Sequence, residues 1–279
     1  QKGERPDDPD WVRFRLGITN PTYFALYARR RMALYGDTQD DFAQVKVKNA
    51  EHGFRNENAR YRKKFSAEEV SASNMVADPL RLMDICATSD GGAALVVSSL
   101  EFARKIGRAD AVKVAAVSTV TPTYASSVIE MPDIATDSAA VVAAHSFRAA
   151  LPVKAYEEAG IGPADVDVAE VYDLSTALEL DWMEDLQLCE RGQAAQLVRA
   201  GDTRVGGRLP INPSGGLACF GEAVPAQAIA QVCELTWQLR GDAGARQGGT
   251  SGRLLPWVGT TSLRSANGLG IRHWGEGVS

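Results

Sequence analysis

Leu209–Gly241 reads LPINPSGGLACFGEAVPAQAIAQVCELTWQLRG, and the interpretation of the chain turns on it. The stretch enters on a strand-like Leu-Pro-Ile and turns through Asn212-Pro213-Ser214-Gly215-Gly216. It then passes into apolar residues at helical spacing: Ala228, Ile229, Val232, Leu235 and Leu239. Two adjacent glycines let the backbone take positive φ and approach a ligand closely. A helix after the turn would aim its unsatisfied N–H groups and positive dipole end at whatever lies beside it. That arrangement suits a developing oxyanion or a polarised carbonyl. A tight turn ahead of a core helix is the plainer reading of the same residues.

Upstream, Val166–Cys189 (VDVAEVYDLSTALELDWMEDLQLC) reads as a short buried strand, Val166, Val168 and Val171, running into a helix. Four pieces then stand in a telling order: Val171-Tyr172-Asp173-Leu174, Glu184 to Gly192 (EDLQLCERG), Gly206-Gly207 with Asn212–Gly216, and Gln238-Leu239-Arg240-Gly241. Together they resemble the C-terminal half of the thiolase superfamily, in its sterol-carrier-protein-X and lipid-transfer-protein branch. In that branch a strand ends in a His-Asp-Cys-Phe-like turn, a helix leads to E-x-L-G-L-C-x-x-G, and GG, N-P-S-G-G and Q-L-R-G follow. The resemblance implies an α/β chain with the thiolase-like layered α-β-α-β-α fold. Residues 107–279 would form a complete C-terminal half. Residues 1–106 would be the remainder of an N-terminal half with its helical loop domain, lacking roughly the first quarter to third of the family fold. The family's nucleophilic cysteine would belong to that missing part.

Composition narrows the class. The 279 residues are 45% hydrophobic and 23% charged, as in a soluble globular protein. A net charge of −5 argues against a nucleic-acid surface, and no apolar run reaches the length of a membrane span. The first residues carry no secretory apolar core. Cys86, Cys189, Cys219 and Cys233 show no CxxC pairing, and three histidines are too few for a zinc cage. No metal is expected. The thiols read as small buried hydrophobes in a reducing, cytoplasmic setting.

In chain order, a helix is expected from Pro21 to Tyr35, stopped by Gly36, and a second from Thr38 as N-cap to about His52. The resemblance makes these the loop-domain helices that cover the site and contribute to a coenzyme A pocket. Arg55–Lys64 reads as a solvated loop, with a phosphate contact as the other reading. Pro79–Asp84 and Ser89–Val97 match the family's turn and central strand. A helix from Glu101 to Ile106 then leads to a strand at Lys113–Val117. Ala139–Ala159 reads as a helix broken or kinked at Pro152. Leu254–Val258 reads as a short or edge strand because of Pro256. In the tail, the family's second cysteine would correspond to His273.

Thiolase chemistry needs a thiolate, a base for the α-carbon of a coenzyme A thioester, and donors for two oxyanions. By the resemblance, Tyr172 replaces the family's Asn or His, Glu222 in Gly221-Glu222-Ala223 replaces the His of Gly-His-Pro, and His273 replaces the base cysteine. Tyr172 would donate to a carbonyl or enolate oxygen. Glu222, expected at a helix N-terminus, would act as general base, and His273 would transfer protons. Each has a plainer reading, respectively a core tyrosine, an electrostatic cap and a solvated histidine. Tyr124, Asp173, Gly215, Gly216 and Cys219 are the substrate-side candidates, with Asp173 also readable as a turn or cap residue and Cys219 as packing.

The resemblance implies an acyl-CoA thioester as substrate, with no permanently bound cofactor, and C–C bond formation or cleavage or acyl transfer of the acetyl-CoA acetyltransferase type. A steroid side-chain retro-aldolase is a second expectation, although Val224 stands where those aldolases carry a tyrosine. A non-catalytic acyl-CoA or lipid-binding protein is a third. The partners implied are a second copy in a homodimer and a small acyl-CoA-binding protein, with no nucleic acid.

Overall fold

The computed structural model describes residues 19–120, 150–224 and 226–248, and the backbone course of 256–262 and 265–273. Two long helices open it. Helix α1, Asn20–Tyr35, ends at Gly36, whose φ of 71° forms the left-handed cap, and α2, Gln39–Phe54, starts on a capping box between Thr38 and Asp41. Both lie where glycine and threonine mark their ends in the sequence. A short α3, Ala67–Ser71, leads to a small hairpin of β1, Met75–Ala77, and β2, Leu80–Arg81. Helix α4 spans Leu100–Lys105.

Among the described residues the main sheet has four strands, in the order β3-β6-β5-β4. They are β3, Val112–Val120; β4, Val168–Val171; β5, Pro256–Ser262; and β6, Ser265–His273. Strand β5 runs parallel to β4, and β6 runs antiparallel to both β5 and β3. β4 is buried along its whole length, Glu170 included. β5 is an interior strand, contrary to the expected edge. Pro256 occupies its first position, where the missing N–H interrupts no further pairing.

Helix α5, Ala150–Ala159, lies against β3 and β6 and ends at Gly160 with φ 67°. It carries Pro152 within its described first turn. After β4 come α6, Thr176–Asp185, capped by the Ser175 side chain, and α7, Ala194–Ala200. Helix α8, Gly216–Cys219, is a single turn, and α9, Ala226–Arg240, packs on β4 and β5. The core joins Phe24, Phe42, Leu80, Leu151, Val171 and Trp182. The helical layer is tied to it by the buried Arg31 guanidinium, which donates to Asp37 Oδ2 at 2.6 Å, Asp181 Oδ1 at 2.9 Å and Glu184 Oε1 at 2.7 Å. Three carboxylates around one planar cation offset its desolvation.

A second expected element differs. Leu95–Val97 forms no ladder with another strand among the described residues, and Val96 is fully exposed. β-branched residues favour a pleated surface only where a neighbour exists to pack against.

Candidate active site at the end of strand β4

Tyr172 follows directly on β4, and the next residues turn away to the Ser175 cap of α6. The Asn212–Gly216 loop comes to the same sheet end. Ile211 pairs with Ala169, Asn212 N donates to Ala169 O at 2.8 Å, and Asn212 Oδ1 accepts from Val171 N at 2.7 Å. Asn212 itself sits at φ 54°, a conformation asparagine tolerates better than most residues. Gly215 at φ 107° lies against Gly53 of α2, where an added methyl would come 2.6 Å from the Gly53 Cα. Gly216 at φ 62° faces the Asp173 carboxylate.

Asp173 is fully engaged. Its Oδ1 accepts from Leu217 N at 2.8 Å and its Oδ2 from Asn49 Nδ2 at 3.1 Å. Burial first, then the Glu179 charge, pushes its pKa well above the ordinary carboxylate value. It thus holds the short α8 to the β4 turn, the turn-and-cap role among its two readings. Cys219 is buried, with Lys46 Nζ 3.4 Å from its sulfur and 2.8 Å from Ala218 O. Burial raises the Cys219 thiol, with Lys46 acting the other way.

Glu222 lies in neither α8 nor α9. It precedes α9 by four residues and forms an isolated parallel bridge with Thr88, Glu222 N donating to Ala87 O at 2.8 Å and Ser89 N to Glu222 O at 3.0 Å. The expected cap position at a helix N-terminus is therefore corrected to an extended one. Gly221, at φ 113°, stands between α8 and this bridge.

The side chains converge. Tyr172 Oη donates to Glu222 Oε1 at 3.4 Å, and Cys86 Sγ donates to Glu222 Oε2 at 3.1 Å. Burial first, then the Glu222 charge, pushes both the Tyr172 phenol and the Cys86 thiol upward. Both keep their protons at neutral pH and serve Glu222 as donors. Cys86 was not among the residues singled out from the sequence. Its contact with Glu222 spans 136 positions, and Ile85-Cys86-Ala87 carries no local signal for it.

The other candidates fall elsewhere. Tyr124 lies outside the described residues. The strand register pairs His273 with Val112 at the start of β3, whereas Val171 stands beside Gly259 and Gly259 beside Gly268. His273 is therefore at the opposite end of the sheet from Tyr172. The chain reversal at the Tyr172 end falls between Ser262 and Ser265.

Helix α2 supplies a supporting layer that the sequence reading also passed over. Lys48 Nζ donates to Glu179 Oε1 at 2.6 Å and to Ile211 O at 2.9 Å. Asn49 and Asn212 both donate to Glu179 Oε2. His52 Nε2 accepts from Val205 N at 3.0 Å, so its Nδ1 carries the proton and donates to Asn212 O at 3.0 Å. Lysine, asparagine and histidine at positions 48, 49 and 52 share one helical face, the only local sign of this layer. On the other side Ser214 donates through N and Oγ to the buried Glu170, each at 2.8 Å.

A cleft of about 1010 Å³ opens alongside, walled by Arg60, Ser89, Gly91, Phe220, Gln227 and Trp237 among others. Ser89 and Ala223 on its wall are the immediate neighbours of Glu222 in the bridge and in the chain. Tyr172, Cys86 and Glu222 lie beside it and do not form its lining. Among the described residues no group of three metal-ligating side chains is clustered, and no helix is long and apolar enough to cross a membrane.

Residues 121–252 match the family described as Thiolase C-terminal domain-like. The acetyl-CoA acetyltransferase of Methanothermobacter thermautotrophicus is 38% identical over 249 residues, which is 86% of this chain and 60% of that protein. The chain is thiolase-like, with that family's C-terminal domain in residues 121–252. Sterol carrier protein 2 of Rattus norvegicus is 38% identical over 229 residues, 81% of this chain and 40% of its own length. Among solved structures, the Ltp2-ChsH2(DUF35) aldolase superposes with a TM-score of 0.77 at 27% identity, covering 98% of this chain and 69% of that one. This thiolase-like chain thus spans about half the length of the curated relatives it matches.

Proposed function

We propose that this thiolase-like chain carries an acid–base site that makes or breaks a C–C bond next to the carbonyl of an acyl-CoA thioester. The observation that supports this most is the pair of protonated donors, Tyr172 and Cys86, on the two oxygens of one half-buried carboxylate. Glu222 serves as general base, taking a proton from the substrate, and when substrate binds the Tyr172 hydroxyl turns its single hydrogen from Glu222 to the oxygen on which charge gathers. Coenzyme A enters as part of the substrate, and none of these steps needs a resident cofactor.

A retro-aldol direction is the second reading, favoured by the likeness to an aldolase over 98% of the chain. In that case Glu222 removes the proton from a β-hydroxyl. The Cα–Cβ bond then breaks to leave a ketone, and the enolate of the shortened acyl-CoA is protonated at its α-carbon. Such a reaction requires no thiolate. A small acyl-CoA-binding partner and a homodimer belong to this proposal as the assembly in which the site would work.

The test is to incubate the chain with acyl-CoA and with β-hydroxyacyl-CoA substrates, following free coenzyme A, ketone and shortened thioester by mass spectrometry. Glu222→Gln is expected to lower turnover by about 10²–10⁴-fold, the usual range for one acid–base group. A ketone plus a shortened acyl-CoA selects the aldol direction. Binding without turnover in every assembly tried removes the catalytic reading and leaves an acyl-CoA-binding protein.

A further inference from the structure

Outside the motifs that mark the family lies Cys86, on the chain segment that forms the third side of the site. Its position is fixed by backbone: Cys86 N donates to Leu174 O at 3.0 Å, just past Tyr172, and Ala87 N to Leu217 O at 3.2 Å, in the α8 turn. Ala87 O and Ser89 N then hold the Glu222 backbone. The thiol is therefore set between the Tyr172 turn and the Glu222 bridge, and its hydrogen points at Glu222 Oε2.

We propose that Cys86 is a positioning residue: its S–H···Oε2 hydrogen bond fixes the Glu222 carboxylate in the rotamer that presents Oε1 to Tyr172 and to the substrate. This rests on the proposed function only in assigning Glu222 its reactive role; the thiol–carboxylate pairing stands on geometry alone. The part is that of a donor and not of a nucleophile. A thiol works as a nucleophile through its thiolate, which is favoured beside cations and disfavoured beside a carboxylate in a poorly solvated place. Glu222, Tyr172 and Asp173 are the titratable groups facing Cys86. None is a cation, and the two with charge to offer both oppose ionisation of the sulfur. With Tyr172 on one oxygen and Cys86 on the other, the carboxylate cannot rotate without breaking one of two donors. Losing the thiol frees that rotation while leaving every backbone bond of the bridge intact.

The pairing is tested by alkylating the folded chain with iodoacetamide across a pH series, locating the adduct by peptide mass spectrometry so that Cys189, Cys219 and Cys233 are read separately. In the wild-type chain Cys86 should react slowly, with a rate still climbing at the highest pH at which the fold persists. In Glu222→Gln the curve should move to lower pH and the rate near neutrality should rise by about tenfold or more, one pH unit being one decade of thiolate. An unchanged curve overturns the pairing. The positioning role is tested by turnover: Cys86→Ala should lower kcat with little change in KM, and Cys86→Ser, which keeps a donor, should recover most of the loss. Equal activity of Cys86→Ala and wild type overturns the role, and so does a serine variant no better than alanine when both melt like wild type. If the wild-type chain turns over no thioester, the proposed function fails, and the alkylation curves still decide whether the sulfur and the carboxylate are paired.

Discussion

Glu222 accepts from one phenol and one thiol, so the two donors should be separable by experiment. Tyr172→Phe removes the group placed to meet substrate oxygen and should cost about 10²–10³-fold in kcat while the melting temperature stays within a few degrees. A fall in melting temperature alone, with kcat intact, would mark Tyr172 as packing. His52 gives a prediction of a different kind. Buried and close to Lys48, it is pushed down to about 3 from an ordinary 6.5. Between those values the unfolded chain takes up a proton that the folded chain refuses. Its contribution to stability is therefore present above the unfolded value and drains as pH falls towards 3, by about 1.4 kcal/mol per unit. Urea unfolding at about pH 7 and about pH 5 should show a larger loss for wild type than for His52→Gln; equal losses would mean that His52 is protonated in the fold. At this scale the sequence was informative only where a family motif names a position. Tyr172 and Glu222 stand out through the order of their motifs, whereas Cys86 and His52 owe their meaning to partners far along the chain.

Helices and turns were more legible, because their ends are written in local chemistry. Gly36 and Thr38 mark the junction of α1 and α2, and Gly160 and Gly241 mark two helix ends. What could not be read was the sheet register of the tail, since glycines recurring every few residues fit more than one alignment of β6 with its neighbours. Two element-level substitutions test how α2 and the glycine turn are held. Lys48→Met leaves the buried Glu179 without its cation and should destabilise by about 3–5 kcal/mol, although Asn49 and Asn212 still donate to it. Gly216→Ala combines a positive φ with a methyl directed into the Asp173 carboxylate, and a cost of about 1–3 kcal/mol is expected. Thermal melts check both, at about 2–4 °C per kcal/mol for a chain of this size. A Gly216→Ala variant melting like wild type would show that the turn relaxes.

Among the described residues most of the exposed large apolar side chains fall between Met75 and Val117. Val96 and Val97 are 100% and 78% exposed, and Leu82, Phe102 and Ile106 are each more than half exposed. Apolar side chains exposed in this number favour self-association. Sedimentation velocity of the isolated 279-residue chain should show concentration-dependent association that Val96→Lys combined with Val97→Lys reduces; a monodisperse wild-type monomer would count against it. The main-chain bonds that seat Cys86, Tyr172 and Glu222 carry a further consequence. Those bonds run from peptide group to peptide group, so they are indifferent to which side chain each position bears. Descendants of a common ancestor can therefore trade one reactive trio for another in a few codon changes, acquiring new chemistry while the supporting frame is inherited intact.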